Sequence, residues 1–347
     1  MTAFIAPNFR GIGILFCGLL ALSPNADAQY RPPNPTIGSI DRFADGIDAL
    51  IPEDAVIEVL ASGLDWSEGP VWVADESART GGYVLFSDIP HNVVLKWQEF
   101  EGLSTFMKPS GYTGVADYGR EPGSNGLALD AQGRLVLCEH GDRRISLLTE
   151  NGGKVTLADR WEGKRFNSPN DLAIHASGDI YFTDPIYGLP QRENDPMRET
   201  DFCGVYRLTT DGEVFLQTKD ISRPNGIAFA PDQKTLYVAN SDGRDGKWRA
   251  FPVEADGNLG EPSVFFDSTN NPNIRRSGGD GLKVDVDGNV FATGGGGVLV
   301  LSSDGALLGR IRTGTAISNV AFGDDGASLY LTADMYLCRV RTSTNGW

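Results

Sequence analysis

The sequence predicts an all-β fold, a six-bladed β-propeller whose ring is closed by an N-terminal strand. Three observations carry this. One short phrase recurs six times at intervals of 57, 45, 55, 55 and 39 residues, a period that signals propeller blades or solenoid turns. Each copy alternates apolar residues at period two, turns at Asp-x-x-Gly or a close variant, and enters a second strand, which is strand patterning and not helical patterning. After the last copy the chain has room for only three strands, so the fourth must come from elsewhere.

In chain order, Arg10 precedes the apolar run "GIGILFCGLLAL", and "ADA" precedes Gln29. A charged start, a hydrophobic stretch and a small-x-small site read as a signal peptide over residues 1–28, cleaved after Ala28, with export to the periplasm or exterior. The apolar run is too short to span a bilayer, so the mature chain is expected free of the membrane. Residues 29–54 open on the Pro-rich "QYRPPNPTIGSID" and read as an extended lead-in. The propeller follows over residues 55–341, with a tail at 342–347. "AVIEVLA" (55–61) precedes Glu68 as "KVTLA" (154–158) precedes Asn170. It is the strand expected to complete the last blade and to protect its edge.

The six phrases align on one polar residue. They are "SEGPVWV" at Glu68, "SNGLALDAQGRLVLCEH" at Asn125, "PNDLAIHASGDIYFTD" at Asn170, "PNGIAFAPDQKTLYVAN" at Asn225, "GDGLKVDVDGNVFATG" at Asp280 and "SNVAFGDDGASLYLTAD" at Asn319. In a propeller the first strand of each blade lines the central channel, so these residues form a ring at one mouth. The second strands return to that mouth and end on Asp88, Glu139 with His140, Asp184, Asn240, Thr293 and Asp334. One face is therefore expected to gather two rings of oxygen donors.

Composition narrows what that face does. The 347 residues are 40% apolar, enough for a core, and the 43 glycines imply many turns. A formal net charge of -16 argues against nucleic acid, whose phosphates need clustered Lys and Arg. Removing the leader leaves Cys138, Cys203 and Cys338 with no CxxC pair, so no thiolate metal site is expected. An oxidising compartment permits one disulfide among them, and the plainer reading is three small apolar residues. Carboxylate and amide oxygens suit one hard divalent cation, Ca²⁺ first and Mg²⁺ next, with Zn²⁺ or Mn²⁺ as further candidates. The competing account treats Asn-Gly and Asp-Gly as ordinary turn pairs, which "SEGP" is not. "GGGG" at 294–297 leads into the strand "VLVLS", not a helix, so it lacks the dipole of a phosphate loop.

"SEGPVW", "SNGLALDAQGRLVLCEHG", "NSPNDLAI", "GDIYFTDPIYGL", "RPNGIAFAPD" and "GDGLKVDVDGNV" together resemble the senescence-marker-protein, gluconolactonase and regucalcin-like family of six-bladed propellers. The likeness covers about residues 55–340. It implies lactone hydrolysis assisted by one divalent metal, with a small lactone as partner. By that resemblance Glu68, Asn225 and Asp280 take the main ligand places, and Asn170 touches substrate or completes the metal site. Some members carry an Arg two residues before the equivalent of Asn170, where it holds a sugar lactone. This chain has Ser168 there, with Arg165 nearby.

The chemistry is consistent with that implication. A lactone carbonyl gains negative charge as water attacks, and a bound cation polarises it and acidifies water. Asp280 is the first candidate for the proton acceptor, and His140 and Asp184 are alternatives. Asn125 and Tyr187 are candidates to orient and wall the substrate, with His140 and Asn170 beside them. No Gly-x-Ser-x-Gly elbow is present. Two other readings stay open. The same metal site also suits another ester, an organophosphate or a cyclic carbonyl compound, and a propeller face also serves as a non-enzymatic binding module. A binding module has no need for three donors converging on an open metal position.

Overall fold

Strand patterning turns directly into blades. The computed structural model describes residues 33–324 and 326–347; the leader and its cleavage after Ala28 lie outside the described residues. Among the described residues, six antiparallel sheets of four or five strands follow one another along the chain, with a two-stranded ribbon, Arg160–Trp161 and Lys164–Arg165, between blades 2 and 3. Blade 1 holds Ser67–Ala74, Gly82–Asp88, Val93–Gln98 and Gly102–Met107. Blade 2 holds Ser124–Leu129, Leu135–Glu139, Arg144–Leu148 and Lys154–Ala158. Blades 3, 4 and 5 repeat the pattern from Leu172, Pro224 and Gly279. The innermost strands touch in order around a ring, and Asn319–Gly323 returns to Ser67–Ala74. Ser318 Oγ donates to the Ser67 carbonyl at 2.6 Å across that junction.

Closure follows the expected scheme. Ile57–Ser62 pairs with Tyr336–Arg341 and supplies the fourth strand of blade 6. The lead-in does more than extend. Ser39–Arg42 adds a fifth strand to blade 5, opposite Gly309–Arg312. A short 3-10 turn, Asp45–Ala49, then carries Ile47 inward. Ile47, Leu50 and Ile51 are buried against Phe291, Val298, Ile311 and Leu329 of blades 5 and 6. Each such side chain contributes about 1.5–3 kcal/mol of burial, so the lead-in is part of the core. The tail also packs inward: Thr344 Oγ1 donates to Asp285 Oδ2 at 2.8 Å.

The core lies between blades, where inward faces of neighbouring sheets meet. Phe166, Phe182 and Tyr206 stack in one such layer, and Trp72, Trp97 and Tyr330 in another. Cys138, Cys203 and Cys338 are free and buried, filling space as small apolar groups.

Candidate active site

Each innermost strand of blades 1, 2, 4 and 5 loses register at its start. Ser124 pairs with Glu139, and the next pair is Leu127 with Leu137; Pro224 and Ile227 skip in the same way, as do Gly279 and Leu282. The skipped residues include Asn125, Asn225 and Asp280, and in blade 1 the break falls just after Glu68. A bulge re-aims a side chain, and here it turns these polar groups toward the channel. Asn319 sits in an unbroken pairing with Thr332. Its Nδ2 donates to Asp171 Oδ2 at 3.2 Å deeper in the channel, and it does not line the cavity.

The glycine after each bulged residue is the second device. A Cβ on Gly126 would lie 2.7 Å from the Asn170 carbonyl oxygen, and one on Gly281 would collide with the Asn319 side chain. Gly69 takes φ +54° and presses equally close to the Asn125 main chain. These pairs are therefore not hairpin turns. The missing side chains let adjacent blades approach until Gly126 N–H donates to the Asn170 carbonyl at 2.7 Å.

The result is a cavity of about 460 Å³ at the channel mouth, lined by Glu68, Asn125, Asn170, Tyr187, Asn225 and Asp280, within the usual size of small-molecule sites. Asn125 Oδ1, Asn170 Oδ1 and Asp280 Oδ1 are buried there without hydrogen-bond partners. Such groups are costly unless something fills the space. Burial pushes the Asp280 carboxyl up to about 8, helped by the charge of Asp171 and Glu121. Burial also holds the Glu68 carboxyl well above its usual range, with Asp280 and Asp171 adding to it. Two packed carboxyls with unspent amide oxygens fit a hard cation, which would relieve both the repulsion and the orphaned lone pairs. Among the described residues no three His, Cys, Asp or Glu side chains cluster as a metal group, so the amides of Asn170 and Asn225 must complete any ligand set. A larger groove of about 720 Å³ lies between turns of blades 2 and 3, near Asp130 and His175. None of the buried unpartnered polar atoms lines it, and the smaller cavity is the better candidate.

The second ring differs from expectation. Asp184, expected to exchange protons with substrate, accepts the N–H groups of Asn167 and Ser168 at 2.8 and 2.7 Å and does not line the cavity. Burial lifts its carboxyl to about 7. Asp88 receives the Trp66 N–H at 3.2 Å, and Asn240 Oδ1 the Arg223 N–H at 3.1 Å. These donors lie two or three residues before the first-ring residues Asn170, Glu68 and Asn225. Asp184, Asp88 and Asn240 thus clasp the backbone ahead of the first ring, while Glu139 pairs with Arg144 and Lys154.

His140 is a second correction. Its side chain is 0% exposed and stands behind the cavity wall. Burial drops its pKa to about 3, so the ring is neutral. Nε2 lies 3.3 Å from Asn125 Nδ2, an amide donor, which puts the ring proton on Nδ1, facing Glu121 Oε2 at 3.6 Å. The imidazole thus points Asn125 Oδ1 at the cavity. Tyr187 is a wall as expected; its hydroxyl shares a hydrogen bond with Ser241 Oγ at 2.5 Å. Ser168 Oγ donates to the Pro185 carbonyl at 2.6 Å and Arg165 to the Asp142 carbonyl at 2.6 Å, so neither reaches the cavity.

Sequence reasoning missed Trp66, Arg120, Glu121, Arg192 and Ser241, which also line the cavity. Arg120, Glu121 and Arg192 come from irregular loops, where no periodicity marks a residue. The one available signal was "REPG", immediately before the Asn125 phrase.

Residues 66–334 match the SMP-30/gluconolactonase/LRE-like region. The chain is 38% identical to a gluconolactonase of Zymomonas mobilis over 318 residues, covering 90% of this chain and 88% of that protein. The solved structure of a gluconolactonase from Xanthomonas campestris is 32% identical, with a TM-score of 0.75 over 90% of this chain and 99% of that one. Regucalcin from Agrobacterium tumefaciens, 21% identical with a TM-score of 0.64 over 83% of this chain and 94% of that one, shares the fold. With this site at its channel mouth and the match running through all six blades, the chain belongs to the SMP-30/gluconolactonase/LRE-like family.

Proposed function

We propose that this protein is a hydrolase that opens a small lactone with the help of one divalent cation, Ca²⁺ first, at the channel mouth. The observation that carries this is the convergence of Glu68, Asn170, Asn225 and Asp280 on one cavity, with two of their oxygens buried and unspent. The gluconolactonase relatives supply the substrate class. Glu68, Asn170, Asn225 and Asp280 would hold the ion, which when bound polarises a carbonyl and acidifies water.

The chain's own groups supply the rest. Trp66, Ile89 and Tyr187 form an apolar wall that holds the ring and limits water. Asn125 Oδ1, aimed by His140, accepts a hydrogen bond from a substrate hydroxyl. Asp280 Oδ1 is unpartnered and faces the cavity, and a carboxylate oxygen there that the ion leaves free would take a proton from the attacking water. That proton then returns to the ring oxygen as the acyl C–O bond breaks, giving a hydroxy acid.

The test is acid release from a panel of lactones by the purified protein, with and without a chelator. The reading predicts turnover that the chelator abolishes and added Ca²⁺ restores. Equal rates in both arms would remove the cation from the reaction, and no acid from any lactone would remove the reaction.

A further inference from the structure

Two arginines reach the cavity from separate loops and, among the described residues, form no ion pair there, although Glu121 lines the same cavity. Arg120 comes from the connection between blades 1 and 2, and Arg192 from the insertion between the second and third strands of blade 3. The loops are fixed to their surroundings. Tyr118 Oη donates to the Gly188 carbonyl at 2.9 Å, and Arg143 donates to the Met197 carbonyl at 2.7 Å. Arg192 stands 5.7 Å over the Tyr187 ring, and its Nε is buried with no hydrogen-bond partner. Arg223 stands at the same distance over that ring but is paired with Glu193. Among the described residues Arg120 and Arg192 have no such counter-ion. Glu121, the carboxyl nearest in sequence, faces His140 Nδ1 at 3.6 Å. Burial raises its pKa, and the nearby charges of Arg192 and Arg120 oppose that rise without reversing it.

Arg120 is exposed and adds its charge at the rim of the cavity, whereas Arg192 is half-buried, and a guanidinium held there without a partner is costly. Its planar fork matches a carboxylate or phosphate, and the pairing strengthens where water is scarce. We propose that Arg120 and Arg192 form an anion clamp, so that the preferred substrate is a lactone bearing a second acidic group, carboxylate or phosphate, away from its reacting carbonyl. This rests on the lactonase reading and sharpens it. The acidic group is unchanged by the reaction, in which water adds across the acyl C–O bond and the product gains one further carboxylate.

The experiment compares three substrates: a neutral aldonolactone, an aldarolactone with a free carboxylate, and a phosphorylated aldonolactone. Wild type, R120Q, R192Q and R192K are assayed on each, with folding checked by thermal unfolding. The wild type should favour one anionic lactone, and which one identifies the acidic group. The ratio of kcat/KM for that lactone to the neutral one should fall about ten- to a hundredfold in R192Q, mainly through KM, and less in R192K. Calorimetry of the ring-opened acids adds a readout independent of turnover: the aldarate dianion or the phosphorylated aldonate should bind more tightly than the aldonate monoanion in wild type, and the difference should shrink in R192Q. A ratio untouched by both glutamine substitutions, or a wild type that prefers the neutral lactone, would overturn the clamp. Failure on every lactone counts against the hydrolase reading instead; the clamp is then decided by calorimetry, where equal affinity of wild type and R192Q for the aldarate and for the phosphorylated aldonate sinks it.

Discussion

Gly226 packs its bare Cα against the main chain of Asp280. A Cβ there would lie 2.7 Å from Gly281 Cα and closer still to the Asp280 carbonyl oxygen. The same contact places Asn225 and Asp280 side by side on the cavity wall. Gly226→Ala should therefore push blades 4 and 5 apart at the mouth. The expected cost is about 1–3 kcal/mol of stability, seen as a lower Tm, together with weaker cation binding. An alanine variant with wild-type Tm and wild-type cation affinity would show that the blades are free to separate.

How far this was legible in the sequence depends on the kind of element. Alternation at period two is local, so six blades and the closing strand could be read from residues such as Ile227 to Phe229 and Ile57 to Ala61. The first ring was legible because Glu68, Asn125, Asn170, Asn225 and Asp280 recur at equivalent places. What failed was the direction of side chains. Asp184 and Asp280 look alike in sequence, yet one accepts two backbone N–H groups and the other keeps a free oxygen in a cavity. That difference is set by a bulge in one strand start and a tight turn at the other strand end. The buried place of His140 and the loop residues Arg120 and Arg192 depend on contacts across blades, which no local pattern encodes.

Closure of the ring makes its own prediction. Ile57–Ser62 covers the edge of Tyr336–Arg341, and Glu58 pairs with the largely buried Arg339 at 2.8 Å. Deleting residues 55–62 exposes that edge and removes one of the carboxylates that hold Arg339, leaving Glu99 at 2.8 Å. The protein should aggregate or lose its cooperative thermal transition. Recovery of a soluble protein with a normal transition would count against this strand as the seal.

Asp280→Asn and Glu68→Gln each remove one charge with little change of shape. Cation affinity should fall by about a hundredfold or more, and the lactonase rate with it. The fold should survive, because strand packing and not the ion holds the core. In the metal-free state at pH 8 both variants should be at least as stable as wild type, since a buried like-charge repulsion is gone. Metal content, rate and Tm on the same samples test this; an Asp280→Asn variant with full metal and full rate would place the site elsewhere.

His140→Ala separates a proton carrier from a positioning residue. With its pKa near 3 and no face on the cavity, His140 acts through Asn125. Its loss should lower kcat/KM by about tenfold, a typical cost for a group that orients a ligand-contacting neighbour. The cation should stay bound, and the pH–rate profile should keep its shape. A profile that loses an inflection in the alanine variant would restore His140 as a proton-transfer group.

The buried carboxyls link cation binding to pH with a definite sign. Asp280 binds its proton up to about pH 8 in the folded chain, against an ordinary 3.8, and Glu68 and Asp171 are raised in the same direction. Between about pH 4 and 8 the folded state therefore holds protons that the unfolded state has released. Metal-free stability should fall as pH rises through that window, by about 1.4 kcal/mol per pH unit for each proton held. Below about pH 4 both states are protonated and this dependence flattens. A cation displaces those protons, so it binds weakly in acid and tightly near pH 8, and the rise in Tm on adding Ca²⁺ should grow across the same interval. Asp184, at about 7, contributes the same fall with and without the ion, because its oxygens are spent on Asn167 and Ser168, and it cancels in the difference. Thermal unfolding at one-unit steps from pH 5 to 9, in chelator and in Ca²⁺, reads that difference directly. A Ca²⁺ effect that is constant over the range, or largest in acid, would mean that the ion does not bind at Glu68 and Asp280.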